Sequence, residues 1–523
     1  MSDLYDVVPY TLIKLKTILS DVSDTSKEVI DKKFICIYFR NYFSTLNAQT
    51  IVIEKNYIDH DFLEDFASYY VKCFKDYERS CTRLHFFNFK FTKSELKKFL
   101  GGEESTINRE KMNAGYLGFV VVKPLPETVI GRTCLKTYET EGNGRHYPIK
   151  RPYSANLFGI DLTVNSIAFQ EQDSVVAACA TSALWSVFQV SGILYQHPIL
   201  SPVELTKAAC DSLPLESRFL PNKGLTLQQM AHAIRGVKLE PFLINALDEE
   251  VLKSTIYAYL KGGVPLILTV LLVDMSNKPG QFIAKHAVAI TGYNINQEET
   301  NPITDRGFLL KALRINKVYA HDDQIGPFSR IILDRKKIKF IMNGQEYEHI
   351  SMNTSWRGKN HKNGSMGAVA ENLLIPVYNK IRIPLSDIQT AVMHFDEFIK
   401  ALQAAKIFPL KNQLEWDIYL TQINKYKKDI HENTNIDEGL KHEILTEGMP
   451  KFLWRAEATC QGKPVLDLTF DATDILQGLS LTRAIGLESK TYEFLKVISK
   501  EEVIVDQYRD EPAWKILKWF YNS

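Results

Sequence analysis

The sequence predicts an α+β fold, and three patterns lead to this prediction. Apolar residues recur at three- and four-residue intervals over 180–188, the spacing of one helical face. A continuous apolar run over 264–273 is typical of a central strand that is buried on both faces. Two strand-like runs, 452–458 and 465–470, flank the turn residues between them and predict a hairpin.

Residues 1 to about 150 are predicted to mix helices and strands. Helical spacing extends over 61–77, and strand patterns occupy 84–89, 116–122 and 129–135. The run from Thr92 to Glu95 has the form of a capping box, in which the two side chains satisfy free amides at a helix start. No glycine-rich phosphate loop or metal motif occurs in this region, so its role is not assigned.

Several helices are predicted further along the chain. The helix that begins at Cys179 is expected to stop at Gly192, and Thr226 is a plausible cap for a later one. Another helix is expected over 247–260, where two glycines close it. A second capping box is expected to begin at Ser386.

Composition sets limits on partners and compartment. The 523 residues include 63 basic and 62 acidic side chains, and a near-neutral chain without a basic stripe argues against nucleic-acid binding. Seven cysteines are widely scattered without a CxxC pair, which favours neither a disulfide framework nor a zinc ribbon. The first residues lack the features of a signal peptide, and the longest apolar run is only ten residues. We therefore expect a cytoplasmic protein with no membrane partner, cofactor or metal, and no oligomeric state is predicted.

Three residues form a candidate catalytic set. Cys179 opens a helix, where free backbone N–H groups and the helix dipole favour the nucleophilic thiolate, although a small core cysteine is the alternative interpretation. His286 is expected at the beginning of a strand, on a face shared with core residues. Asp322 follows the next strand, where its carboxylate could orient the imidazole and leave the other nitrogen for the thiol. Asp323 is the alternative acid.

The order of these residues resembles the papain-like cysteine peptidases, in particular the bacterial branch that processes double-glycine bacteriocin leaders. The resemblance covers about residues 165–335. It implies a helix carrying Cys179 packed on an antiparallel sheet that carries His286 and Asp322. It also implies that Cys179 is the nucleophile, that His286 is the base and later the acid, and that Asp322 orients His286. An upstream glutamine, Gln172, would stabilise the oxyanion together with the backbone N–H of Cys179.

The sequence departs from the family pattern in three places. Asp173 stands six residues before the cysteine, where the family has its glutamine. Gln172 would therefore need a one-residue bulge, and Gln170, the alternative, fits the spacing less well. Ala180 replaces the glycine that usually follows the nucleophile, and Asp323 replaces a proline after the acid. These departures concern the oxyanion hole more than the Cys–His pair.

The resulting hypothesis is a thiol hydrolase that cleaves a peptide or isopeptide bond in a protein or peptide substrate through a thioester. One alternative is a transglutaminase-like acyltransferase, and another is an inactive papain-like binding or sensor module. The expected division is an N-terminal α/β region over 1–150, the peptidase-like core over 151–340 and an α+β C-terminal region over 341–523. The flanking regions would supply recognition or regulation.

Overall fold

The computed structural model describes residues 4–137, 144–173, 175, 176, 178–211, 224–297, 302–354, 366–476, 478 and 481–522, except the side chains at 334 and 335. The chain forms two compact units. Unit 1 comprises residues 1–247, 265–293 and 317–376, and unit 2 comprises 248–264, 294–316 and 377–523. The expected three-part division at 150 and 340 stays a prediction.

The described chain contains both helices and strands. The helices are α1 (Leu12–Ser23), α2 (Lys27–Lys32), α3 (Phe34–Thr45), α4 (His60–Ser68), α5 (Lys93–Leu100), α6 (Arg109–Gly115), α7 (Cys179–Tyr195), α8 (Pro202–Cys210), α9 (Leu227–Gly236), α10 (Glu249–Lys261), α11 (Leu385–Ala404), α12 (Ile423–Glu432), α13 (Glu438–Thr446), α14 (Ser489–Ile498), α15 (Glu502–Tyr508) and α16 (Trp514–Asn522). The strands are β1 (Tyr5–Pro9), β2 (Thr50–Tyr57), β3 (Cys81–Phe87), β4 (Tyr116–Val122), β5 (Ile130–Leu135), β6 (Arg145–His146), β7 (Arg151–Leu157), β8 (Ile160–Ser166), β9 (Leu239–Asn245), β10 (Leu266–Asp274), β11 (Gly280–Ile295), β12 (Leu309–Leu310), β13 (Ile315–Asp322), β14 (Gly326–Met342), β15 (Gln345–Asn353), β16 (Met366–Tyr378), β17 (Glu415–Gln422), β18 (Phe452–Cys460), β19 (Lys463–Asp471) and β20 (Leu481–Gly486).

Unit 1 contains two large sheets. Strands β1 to β5 form an antiparallel sheet in chain order. The second sheet follows the order β10-β11-β13-β14-β15-β16-β9, and β10 also pairs with β16. Strand β10 begins this order, and its second pairing, with β16 near the other end, joins the strands from β10 to β16 into a closed barrel. The mixture of helices with largely antiparallel sheets confirms the predicted α+β class.

The predicted central strand and the predicted cysteine helix are both present. Eight of the nine residues of β10 are buried, which confirms the interpretation of the apolar run. Helix α7 packs against β10, and its residues from Ala180 to Gly192 are buried on every side, the pattern of a core helix. The expectation that the helix stops at Gly192 is wrong. It continues to Tyr195 and ends where Gln196 adopts the left-handed conformation.

The N-terminal part of unit 1 agrees with the sequence at its strands and at one helix cap. The capping box is confirmed, because Thr92 and Glu95 make both of its hydrogen bonds at the start of α5. The helix expected over 61–77 is wrong in length. Helix α4 ends at Ser68, and only a 3-10 turn over Tyr70–Lys72 follows it.

Unit 2 is built on the sheet β12-β17-β18-β19-β20. Strands β18 and β19 form the predicted hairpin, whose turn holds Gln461 and Gly462 at positive φ. The second capping box is wrong, because α11 starts one residue before Ser386 and its N-cap is Pro384, which makes no side-chain cap. Within the described ranges, no helix is both long and apolar enough to cross a bilayer.

Candidate active site

Two neighbouring strands bring together the predicted histidine and aspartate. His286 lies on β11 and Asp322 at the end of β13, which is the next strand in the sheet. The Nε2 atom of His286 is 3.1 Å from Oδ1 of Asp322, and the two side chains are 1% and 0% exposed. His286 lies in the middle of a 16-residue strand, so the expectation that it begins a strand is wrong.

The cysteine completes this arrangement from the start of a helix. Cys179 is the first residue of α7, and its side chain lies close enough to the His286 imidazole to help raise the pKa of His286. The first intrahelical bond runs from the N–H of Ser182 to the carbonyl of Ala178, so the amides of the first turn have no carbonyl partner within the helix. The predicted set of Cys179, His286 and Asp322 therefore converges. Cys179 is its half-buried member, and the histidine and the aspartate lie beneath the surface.

Electrostatics favour a protonated imidazole at this position. Burial alone would lower the pKa of His286 and is the largest single effect, and the charge of Asp322 is the largest of several effects that together outweigh it. Hydrogen bonds to Asp322 and Cys179, and the charge of Asp323, add to the same effect, so the pKa of His286 is raised well above its ordinary value. An imidazolium beside a thiol stabilises the thiolate by charge attraction.

The two adjacent carboxylates differ in how they are satisfied. Asp322 accepts hydrogen bonds from His286 and from the backbone N–H of Gln324. Asp323 is equally buried, with Oδ1 3.7 Å from Nε2 of His286, but neither of its oxygens has a hydrogen-bond partner in another described residue. Burial raises the pKa of Asp323 to about 7, with the charge of His286 opposing this shift and that of Asp322 adding to it. Asp322 is therefore the acid that holds the imidazole by a hydrogen bond.

A glycine is required where the chain turns back after the acid. Gly326 pairs with Asp322 across the β13–β14 turn and has a φ of +146°. A Cβ at this position would lie 2.5 Å from a ring carbon of Tyr38, which packs there from α3. Both the backbone conformation and the close approach exclude a side chain, which explains the glycine four residues after the acid.

The two glutamines upstream of the cysteine have different environments. Gln172, the predicted oxyanion donor, is exposed, whereas Gln170 is only 2% exposed. The side-chain nitrogen Nε2 of Gln170 has no hydrogen-bond partner among the described residues. A buried amide without a partner costs free energy unless something binds there.

Hydrogen bonds to Asp173 stabilise the conformation of the segment that precedes Cys179. Its Oδ1 accepts hydrogen bonds from the backbone N–H groups of Val175 and Val176, both at 2.7 Å, and its Oδ2 accepts one from the Tyr70 hydroxyl at 2.6 Å. This is the position at which the family has its glutamine. In this chain Asp173 occupies that position, and its carboxylate accepts hydrogen bonds from the local backbone instead of donating one to an oxyanion. The Asx-type bond to the residues two and three positions on is a local signal that the sequence carries, whereas nothing in the sequence points to Tyr70.

Residues of the N-terminal region also contact helix α7 beyond Cys179. Trp185 of α7 donates its indole N–H to Oδ2 of Asp61, and the same oxygen accepts a 2.7 Å bond from Arg132 on β5. Lys123 is buried nearby, and although burial lowers its pKa, the charges of Asp173 and Asp65 raise it overall. Residues from the first 137 positions thus anchor the chain before and after Cys179, a role that sequence reasoning missed because the partners lie up to 124 residues apart.

A second histidine beside the site has a structural role. His321 is buried, with Nε2 3.0 Å from the carbonyl of Ile167 and Nδ1 accepting from the N–H of Phe328. Burial lowers the pKa of His321 to about 3, so it is neutral at physiological pH. Its hydrogen bond to Ile167 connects the end of β13 to the segment that precedes Cys179.

A cavity of about 750 Å³ on unit 1 lies elsewhere on the barrel. Its lining comes from the β10–β11 turn and from β14, β15 and the start of β16, and it includes Lys278, Lys336, Lys337 and Lys339. None of Cys179, His286 or Asp322 lines it. The chemistry-bearing residues and this cavity are therefore separate features.

No family model matches the sequence, and a comparison with curated proteins likewise finds no match. The interpretation of the site accordingly depends on its own residues and their geometry.

Proposed function

We propose that the protein is a thiol hydrolase that cleaves peptide or isopeptide bonds through a thioester on Cys179. The observation that carries the proposal is the buried His286 imidazole, which hydrogen-bonds to the carboxylate of Asp322 and interacts with the Cys179 side chain at the start of α7. Because Nε2 of His286 faces the carboxylates, Nδ1 is the nitrogen left for the thiol. A nucleophile, a base and an orienting acid in hydrogen-bonded sequence are the requirement for this chemistry.

The first half-reaction uses this chain of contacts directly. His286 holds the thiol proton, and the Cys179 thiolate attacks the carbonyl carbon to form a tetrahedral oxyanion. The C–N bond then breaks, His286 gives its proton to the departing amine, and a thioester remains on Cys179. In the second half, His286 takes a proton from water, the hydroxide attacks the thioester, and the acid leaves while Cys179 regains its thiol.

The oxyanion in both steps requires donors. The backbone N–H of Cys179 stands at a helix start, where it has no intrahelical carbonyl. For the second donor we infer Gln170 rather than Gln172, because Gln170 is the buried glutamine whose amide lacks a partner. Ala180 adds only one methyl group beyond the nucleophile, which leaves these backbone donors in place.

The two alternatives differ in what they require. An inactive binding module would be favoured by a Cys179 sulfur beyond hydrogen-bond reach of His286, and the contact between them does not support it. An acyltransferase shares the first half-reaction and differs only in the amine that accepts the acyl group. Product analysis separates it from a hydrolase, since the hydrolase releases a free carboxylic acid.

The direct test is covalent labelling with a peptidyl vinyl sulfone, read by intact mass. Among the seven cysteines, Cys73, Cys179 and Cys210 are partly exposed, so Cys73→Ser and Cys210→Ser are matched controls for Cys179→Ser. We expect one adduct on the wild type and on both controls, and none on Cys179→Ser. An adduct that persists on Cys179→Ser would refute the assignment.

A further inference from the structure

The carboxylate pair around His286 leaves one electrostatic feature that the hydrolytic mechanism does not use. Asp323 is buried with its Oδ1 3.7 Å from Nε2 of His286, yet neither oxygen has a hydrogen-bond partner among the described residues. Asp322 already satisfies the Nε2–H at 3.1 Å. An orienting acid explains one carboxylate, whereas a second buried carboxylate that faces the same nitrogen without a hydrogen bond to another residue is the additional ligand that a metal ion bound at Nε2 would use.

The geometry of the three side chains fits a zinc ion. Within the described residues, His286, Asp322 and Asp323 are the group of potential ligands whose atoms all lie within 4.8 Å of one another. Ligand atoms on a tetrahedral zinc with bonds of about 2.0–2.1 Å lie roughly 3.3–3.4 Å apart. The observed separations of 3.1 Å and 3.7 Å from Nε2 lie on either side of this value.

The donor set also selects the metal. One imidazole nitrogen and two carboxylate oxygens are ligands that Zn²⁺ binds, whereas Mg²⁺ and Ca²⁺ prefer sites made wholly of oxygen. Three protein ligands leave a fourth position for water, as in open zinc sites. The sequence carries no metal motif because its ligands come from two strands 36 residues apart.

We propose that His286, Asp322 and Asp323 form a zinc site whose occupancy switches off the thiol chemistry of Cys179. The metal binding stands by itself, and the switch rests on the proposed hydrolase function. Zn²⁺ takes the lone pair of Nε2, so the proton on that nitrogen leaves to solvent, while Nδ1 keeps its proton. An imidazole ligated in this way has no free lone pair to take a proton from the thiol or from water, and it can give up the Nδ1 proton only by becoming an imidazolate. It therefore serves neither as the base nor as the acid of the thiol chemistry.

The test measures zinc binding and labelling on the full-length protein without an affinity tag. Zinc is titrated against a chromophoric chelator for the wild type, Cys179→Ser and Asp323→Asn, with Asp396→Asn as a matched loss of a buried carboxylate in unit 2. We expect one zinc per chain for the wild type, Cys179→Ser and Asp396→Asn. Asp323→Asn should lose more than about 100-fold in zinc affinity, because loss of a direct ligand should cost more than loss of a residue that only orients a ligand. Zinc should also raise Tm for Cys179→Ser but not for Asp323→Asn.

The labelling arm separates this proposal from the hydrolase itself. Stoichiometric zinc should abolish vinyl sulfone labelling of the wild type, EDTA should restore it, and the rate shown by Asp323→Asn should not change with zinc. Absence of zinc binding, or binding lost in Cys179→Ser and kept in Asp323→Asn, overturns the site. Zinc bound without inhibition overturns the switch. A wild type that binds zinc but never labels at Cys179 would refute the hydrolase and leave the metal site standing.

Discussion

Replacing Asp322 by Ala removes the buried carboxylate that accepts the Nε2–H of His286 at 3.1 Å. A hydrogen bond to a charged group contributes about 1.5–3 kcal/mol, and each 1.4 kcal/mol is a factor of ten in rate. If this contribution is lost in the step that forms the thiolate–imidazolium pair, the second-order rate of labelling falls about 10- to 150-fold. Asp322→Asn keeps an oxygen acceptor without the charge, so its loss should be smaller.

The pH dependence separates an orienting role from a merely structural one. The charge and hydrogen bond of Asp322 raise the pKa of His286 against the effect of burial. Without them, burial prevails, and the limb of the pH–rate profile that reports His286 should move to lower pH in Asp322→Ala. The assay is stopped-flow labelling at several pH values, with folding checked by circular dichroism.

The matched control is Asp396, a buried carboxylate of unit 2 that accepts the indole N–H of Trp416 at 2.9 Å. Asp396→Ala removes a comparable hydrogen bond outside the site. It should change stability but leave the labelling rate and its pH profile as in the wild type. An Asp322→Ala protein that labels at the wild-type rate, or an Asp396→Ala protein that shows the same loss, would refute the reasoning.

Three further outcomes follow from contacts around the site. Gln170→Ala should slow turnover of a peptide substrate about 10²- to 10³-fold, the usual effect of removing an oxyanion donor, while Gln172→Ala stays near the wild-type rate; the reverse order would return the role to the exposed glutamine. Tyr70→Phe removes the 2.6 Å hydrogen bond to Asp173 and should lower the free energy of unfolding by about 1.5–3 kcal/mol, measured by urea denaturation; a change below 0.5 kcal/mol (roughly the size of a neutral surface substitution) would contradict it. Burial lowers the pKa of His321 to about 3. The neutral imidazole therefore contributes fully to stability above about pH 6.5, and the free energy of unfolding falls by about 1.4 kcal/mol per pH unit as the pH decreases toward 3. In urea denaturation, His321→Asn should show a weaker dependence of this free energy on pH between about 6.5 and 5, and an unchanged dependence would count against a neutral buried imidazole.

Local patterns were sufficient to predict several elements. The three- and four-residue spacing in α7, the unbroken apolar run of β10 and the paired side chains at Thr92 and Glu95 each express a physical preference of a few neighbouring residues. The order of His286 and Asp322 along the chain also placed them on adjacent strands, because strands that follow one another commonly pair.

Other details depend on the path of the folded chain or on the exact residue at which an element begins. Gln172 and Gln170 have the same donor chemistry, and only the path of the folded chain decides that Gln170 is buried. Ser386 has the sequence of a cap, yet the helix starts one residue earlier and its side chain is not used. The sequence likewise does not show that the Asp323 carboxylate lacks a hydrogen bond to another residue, because this depends on which groups lie near it in the folded chain.

The barrel that carries His286 is complete only when β10 pairs with β16, whose residues lie about a hundred positions later. The strands around the histidine therefore close after a long stretch of chain has been made, and such distant pairings form slowly. Until that closure, β10, the strand against which α7 packs, lacks its partner strand along one edge. The barrel beside Cys179 is therefore completed only after residues 366–378 have been made.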